Sequence, residues 1–183
     1  GVHVALAEDV TASGRASFSK GFLDVARRRA ETNVESLAPL VARGWDVVVV
    51  EPSDAVMLQS DYRDLLSGED GEGPRSSGSR TLSDDVETVA ANSYGIMEYL
   101  DAHRLDESLD TDAPATALTY HGHCHQKSTR KDHHAVGVLR RAGYAVDPLD
   151  SGCCGMAGSF GYEAEHFSMS EAIGSILFDQ VDD

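Results

Sequence analysis

Cysteine is scarce in this chain, with three among 183 residues, and lysine is as rare, being confined to Lys20, Lys127 and Lys131. Tryptophan occurs once and aromatic residues make up 7%. Each shortage excludes something. Three thiols cannot build the even-numbered disulfide framework of a small secreted scaffold, so reduced cysteines are expected. No run approaches the roughly 18 consecutive apolar residues of a membrane span. Nothing at the front reads as a charged, apolar, then small-residue signal peptide, so a cytoplasmic setting without a transmembrane segment is expected. Basic charge is also short: 15 Lys and Arg stand against 31 Asp and Glu, a formal net charge of -16. Such a surface repels phosphate backbones and argues against nucleic-acid binding. Acids gather at Glu69-Asp70-Gly71-Glu72, at 106–112 and at Asp182-Asp183, and arginine outnumbers lysine. This is the composition of a protein adapted to a salty, halophilic cytoplasm, where screening weakens self-repulsion; an ordinary acidic mesophilic protein is the alternative.

What is present reads as strand, loop, helix in repetition. At 183 residues and 41% hydrophobic content, the chain can fill one ordinary core or two half-domains. A strand is expected at 2–7 and a polar turn at 8–17. A long helix is expected to carry Phe22, Val25, Ala26, Leu37, Leu40 and Val41 and to stop at Gly44. The β-branched run 45–50 suggests a strand buried on both faces. Residues 67–80 contain nothing apolar to bury and read as a linker. Asp84 and Glu87 stand at capping-box spacing before a stripe of Val86, Val89, Ala90, Ser93, Ile96, Met97 and Leu100, predicting one helix through 100. A strand at 115–120, a helix at 132–141, a strand at 144–149 and a helix at 162–177 complete the pattern. The fold class is therefore α/β: two degenerate strand-loop-helix repeats, with mainly parallel sheets covered by helices. Residues 143–160 overlay residues 1–18 with one single-residue gap, placing Ala12-Ser13-Gly14 where the later copy has Cys153-Cys154-Gly155. Loops of such modules converge at the carboxyl ends of the strands.

All three cysteines lie in short polar loops. Cys124 sits in His121-Gly122-His123-Cys124-His125-Gln126-Lys127, and Cys153-Cys154 sit in a run rich in glycine, Gly152, Gly155 and Gly158. Thiolates are soft ligands that select zinc, cuprous copper and iron-sulfur clusters, and adjacent cysteines can both face one site only where the backbone turns sharply. Placement just before a helix N-terminus would also lower their thiol pKa values. The alternative is that the pair is simply small and buried, or closes as a vicinal disulfide. His121, His123 and His125 alternate and would share one face of a strand end, where one of them could complete a four-ligand shell, although a loop histidine bonded to backbone is the commoner case. His133, His134 and His166 read as solvated helix positions. Arg15, Lys127 and the glycine-rich loop are candidates for lining the same cleft.

The segments from His121 to Lys127 and from Asp150 through Gly152-Cys153-Cys154-Gly155 to Tyr162-Glu163 resemble the cysteine-rich "CCG" domain of FAD-linked oxidases fused to iron-sulfur modules. Relatives in that family include glycolate oxidase and D-lactate and D-2-hydroxyglutarate dehydrogenases. The first half is similar more loosely, through Gly14-Arg15, 18–24, 33–40 and Glu51-Pro52-Ser53. The resemblance implies a partial first repeat at 1–66 without cysteines, a flexible acidic and Gly/Ser linker at 67–82, and a second repeat at 83–183 truncated at its carboxyl end. It implies an electron-transfer or metal-binding accessory domain in which Cys124, Cys153 and Cys154 ligate an iron-sulfur cluster (4Fe-4S in type) or zinc. The parent protein would carry FAD, flavin-binding and ferredoxin-like domains, oxidise a 2-hydroxy acid, and pass electrons to a respiratory-chain acceptor, with peripheral attachment to the inner membrane face. The isolated domain would not be catalytic. This chain has Ala12-Ser13 where family members often carry a first cysteine pair, and Asp54 where a further cysteine often follows Glu-Pro-Ser. A thiol-disulfide redox enzyme using Cys153 and Cys154, and a structural zinc or interaction module, are the competing readings.

Overall fold

Glycine opens the first regular structure. Gly14, in the left-handed region at φ 91°, leads into a short helix α1 (Arg15–Ser19), which lies partly within the expected turn, and then into α2 (Leu23–Val41). α2 buries Ala26, Ala30, Asn33, Val34, Leu37, Ala38 and Val41, the stripe that lets a helix cover a core. The computed structural model describes residues 1–67, 81–108 and 116–182. The body of the expected linker, the acidic residues beyond 108 and the first residue of the expected strand at 115 lie outside the described residues. The chain divides into two units, Gly1–Ile96 and Met97–Asp183.

In the first unit the β-branched run becomes a three-residue strand, β1 (Val47–Val49), paired in parallel with β2 (Ser93–Gly95). The strand is not buried on both faces. Val47 and Val49 pack on the core, whereas Val48 is 41% exposed and Val50 74%. After β1, Glu51 caps α3 (Pro52–Val56) by accepting from the Ser53 amide, and the helix runs on through a π-helical turn (Met57–Asp61) into α4 (Tyr62–Leu66). Met57, Tyr62, Val34 and Val89 are the largest fully buried side chains, and each aliphatic one removed from water contributes about 1.5–3 kcal/mol.

Two expectations fail here. The single helix through 100 is broken: α5 (Leu82–Ala91) starts with a capping box of Thr81 and Asp84, not Asp84 and Glu87. At its end Asn92 Nδ2 donates to the Thr88 carbonyl and Ser93 Oγ to the Val89 carbonyl, at 2.8 and 2.7 Å. Ser93, Tyr94 and Gly95 then pair with β1, and a new helix, α6 (Ile96–Ala102), begins. The stripe that suggested one helix thus spans two. The expected strand at 2–7 has no regular structure; Val4 is 78% exposed and Leu6 90%.

The second unit is built on β3 (Ala117–Tyr120) and β4 (Ala145–Pro148), parallel, with Ala117 opposite Ala145 and Tyr120 opposite Pro148. Between them lie a short helix α7 (Cys124–Ser128) and α8 (Asp132–Arg141), which occupies the expected residues and buries Ala135, Val136 and Val138. After the cysteine pair come two 3-10 turns, Phe160–Tyr162 and Ala164–His166, and only then α9 (Phe167–Asp182). The cysteine pair therefore does not sit at a helix N-terminus.

A similar packing element occurs in each unit. Gly155 (φ +88°) is held so close to α9 that an added Cβ would meet the Ser170 carbonyl oxygen at 2.2 Å; at Gly14 (φ +91°) it would meet the Ala26 carbonyl oxygen of α2 at 3.2 Å. Ser170 and Ala26 are each the fourth residue of their helix. The eighth residues, Gly174 and Ala30, are also buried, and a Cβ on Gly174 would lie 2.9 Å from the Cys154 carbonyl. In each unit a glycine lets the loop lean against the first turns of a helix.

Candidate functional site

The cysteines come from two loops at the carboxyl ends of β3 and β4. β3 delivers His121 through Cys124, and Cys124 is the first residue of α7, behind His123 as its cap. β4 delivers the run from Leu149 to Cys154, with the Leu149 amide bonded to the Tyr120 carbonyl at 2.9 Å. All three cysteines are free. The loops bring Cys124 close enough to Cys153 and Cys154 for both to raise its thiol pKa. Cys153 Sγ in turn accepts from the Gly155 amide at 3.4 Å.

Cys124 is exposed overall, and its thiol is only partly buried. That local burial, then the neighbouring Cys153 and Cys154, push its thiol pKa up. A neighbouring thiol that can become negative opposes ionisation of Cys124. A bound cation would remove that opposition, which is why clustered thiols and metals go together.

A clamp around Ser151 holds the two loops in place. Ser151 is buried, 7% exposed; its Oγ and His121 Nδ1 share a 2.8 Å hydrogen bond, and its carbonyl accepts from Lys127 Nζ. Burial, then the charges of Lys127 and His123, hold the His121 imidazole below its usual range, favouring the neutral ring. Nothing in the sequence singles out Ser151 except its position two residues before the cysteine pair, at the end of an expected strand. Lys127 reaches this site, whereas Arg15 belongs to the other unit, where it pairs with Asp61 and donates to the Ser53 carbonyl.

The three histidines do not share one strand face. β3 ends at Tyr120; His121 turns to Ser151, His123 caps α7 and accepts from the His125 amide, and the His123 and His125 rings stack at 5.4 Å. The outer histidines are not simply solvated either. His134 hydrogen-bonds Asp101 at 2.6 Å, His133 contacts the Arg130 carbonyl, and His166 stacks on Phe160 at 4.2 Å.

The chain is 29% identical over 169 residues to one of the subunits of the anaerobic glycerol-3-phosphate dehydrogenase of Escherichia coli (strain K12), a match covering 90% of this chain and 38% of that protein. It is 24% identical over 174 residues to the D-2-hydroxyglutarate dehydrogenase of the same organism, covering 92% of this chain and 15% of that protein. The chain thus spans well under half the length of the curated relatives it matches, and it is related to parts of dehydrogenases. No family model matches it, and no solved structure does.

In donor chemistry the three sulfurs suit a thiophilic metal or an iron-sulfur core. In geometry they do not form a closed shell: among the described residues no three or more His, Cys, Asp or Glu side chains stand together as a metal-holding group. The first unit also joins two loops, without sulfur. Ser13 Oγ donates to the Asp54 carboxylate, and the Tyr62 hydroxyl donates to the Ser13 carbonyl at 2.8 Å while accepting from Asn33 Nδ2 at 2.9 Å. Burial pushes the Tyr62 pKa up to about 12, so at neutral pH it stays a donor.

Proposed function

We propose that this chain is an electron-transfer or metal-binding accessory part of a flavin-linked 2-hydroxy-acid oxidase or dehydrogenase, with Cys124, Cys153 and Cys154 ligating an iron-sulfur cluster or zinc. The observation that carries this reading is the approach of Cys124 to the cysteine pair from a separate loop. The similarity to parts of two dehydrogenases supports a redox setting. A bound cluster would supply one-electron storage, and zinc a structural cross-link. The chain's own residues do the rest: Ser151, His121 and Lys127 hold the loops, Gly155 gives the cysteine pair its turn, and any remaining ligand comes from outside these three sulfurs. The partners in this reading are flavin-binding and ferredoxin-like domains of one parent protein, with a respiratory-chain acceptor beyond them.

The test is anaerobic expression of the full-length protein, followed by metal analysis and EPR, on wild type and on Cys124→Ser and Cys153→Ser. Stoichiometric iron or zinc that both substitutions remove is the expected outcome. Metal content that survives in Cys124→Ser, or that is absent from the anaerobic wild type, overturns the assignment. The lack of a closed metal-holding group among the described residues, together with the Cys124 and Cys153 contact, favours a second reading, a thiol-disulfide enzyme. In that case the anaerobic protein is metal-free and Cys124 and Cys153 are recovered as a disulfide after turnover with a disulfide substrate.

A further inference from the structure

α9 is seated on its unit by little of its surface. Ser170, Gly174 and Leu177, at spacing i, i+4, i+7, are its buried positions, and the cysteine loop leans on that stripe, with the Ser170 hydroxyl donating to the Gly155 carbonyl at 2.9 Å. The rest of the helix is not simply polar. Phe167, Met169, Ile173, Ile176, Phe178 and Val181 are all exposed, Phe167 and Ile176 by 57% each. No other helix or strand among the described residues carries as many exposed large apolar side chains. Met169, Ile173 and Ile176 repeat the spacing of the buried stripe one residue out of phase, about 100° around the helix, and so share one open face. Gln180 ends that stripe. A helix whose apolar residues extend well beyond the face it buries has a second surface to cover.

Charge decides what can cover it. Glu171 and Asp179 stand exposed on the outward side of α9, and from Ala142 to the end of the sequence there are acidic residues but no lysine or arginine. A second copy would bring acids against acids. Anionic lipid and nucleic acid would meet the same repulsion. The occupant that fits is apolar on one side and basic along its margins.

We propose that the Met169, Ile173 and Ile176 face of α9 is a docking surface for an amphipathic helix of a partner protein whose apolar side is flanked by lysine or arginine. Apolar anchors at such spacing are how one helix reads another, and basic flanks facing Glu171 and Asp179 set the orientation and speed the encounter. The partner is then held by the helix that also supports the thiol loop, where a Cβ on Gly174 would stand 2.9 Å from the Cys154 carbonyl. No thiol takes part in the contact, which is independent of any metal at the cysteines.

The reduced full chain is titrated into a fluorescein-labelled synthetic peptide patterned as a helix with a leucine face and lysine flanks, and anisotropy is read. The controls are a peptide of the same composition with the pattern scrambled, and one with glutamate in place of lysine. The patterned leucine-lysine peptide should bind about tenfold or more tightly than either, the gain from one or more buried apolar anchors. Ile173→Gln and Ile176→Gln should each weaken it about tenfold, while Ile96→Gln, at an isoleucine of the first unit that is 39% exposed against 38% for Ile173, should leave it unchanged. All three side chains are exposed, so circular dichroism should show the fold intact in each variant. Equal binding of the scrambled peptide, or an equal loss from Ile96→Gln, means adhesion to an acidic surface in general and overturns the proposal. Self-association of the unsubstituted chain that Ile173→Gln abolishes would make a second copy the occupant, and binding to phosphatidylcholine-phosphatidylserine vesicles that the same substitution abolishes would make it a membrane; either result overturns the proposal as well.

Discussion

Gly155→Ala is the substitution whose cost is most directly worked from the structure. Two terms add. A residue with a side chain at φ +88° occupies the left-handed region at about 1–2 kcal/mol. The new methyl would also stand 2.2 Å from the Ser170 carbonyl oxygen and 3.0 Å from its carbonyl carbon. Those are backbone atoms of α9, so the helix and loop must separate, and forced overpacking costs about 1–3 kcal/mol. The expected loss is about 2–5 kcal/mol in the second unit. Gly14→Ala is the internal control: its φ of +91° carries the same conformational term, but the nearest atoms lie at 3.2–3.6 Å, so its steric term is smaller. Urea unfolding of both variants, followed by probes in each unit, should rank Gly155→Ala well below Gly14→Ala. The separation of α9 from the loop should also spoil the thiol centre, read as weaker cadmium-thiolate absorbance on titration of the reduced protein. Equal stability of the two variants, or Gly155→Ala within about 0.5 kcal/mol of wild type, refutes the claim that the cysteine loop leans on α9.

Ser151→Ala removes the group that bonds His121 and should lower cadmium or zinc affinity of the reduced protein by about tenfold, as loss of a supporting partner does, while far-ultraviolet circular dichroism stays the same; unchanged affinity means the clamp does not position the sulfurs. Asp101 and Asp106 are held below the usual carboxylate range, chiefly by hydrogen bonds from His134 and Arg141 respectively. Depressed folded pKa values contribute stability above the unfolded value, about 4, that is lost as pH falls through the folded values. Acid unfolding of the second unit should therefore begin below about pH 4, and Arg141→Met should weaken the unit at neutral pH and flatten that acid dependence. An identical acid profile in the variant would show that the arginine is a bystander.

Much of this architecture was legible because it is local. α8 fell on the expected residues since a polar turn, a stripe of Ala135, Val136 and Val138, and Gly143 bound it without help from elsewhere. The meeting of Cys124 with Cys153 was legible from the strand-loop-helix alternation, which sends loops to the same sheet end. What was not legible depends on distant partners. The stripe from Val86 to Leu100 keeps helical spacing, yet Ser93 and Asn92 turn their side chains onto α5 carbonyls and Tyr94 and Gly95 answer to β1. α9 begins only after two 3-10 turns, in a loop where Gly155 and Gly161 both lie close against Ser170, a contact that no periodicity encodes. Ser151 was invisible as a clamp because a serine beside glycine in a polar loop looks like any other.

The way each loop rests on its helix has a consequence for how such modules can diverge. The support is backbone against backbone, through one glycine, and involves no sulfur atom. Scaffold and side-chain chemistry are therefore separable: a glycine contact supports cysteines in the second unit and stands beside Ser13 in the first. A loop supported in this way can change its reactive side chains without the support being rebuilt.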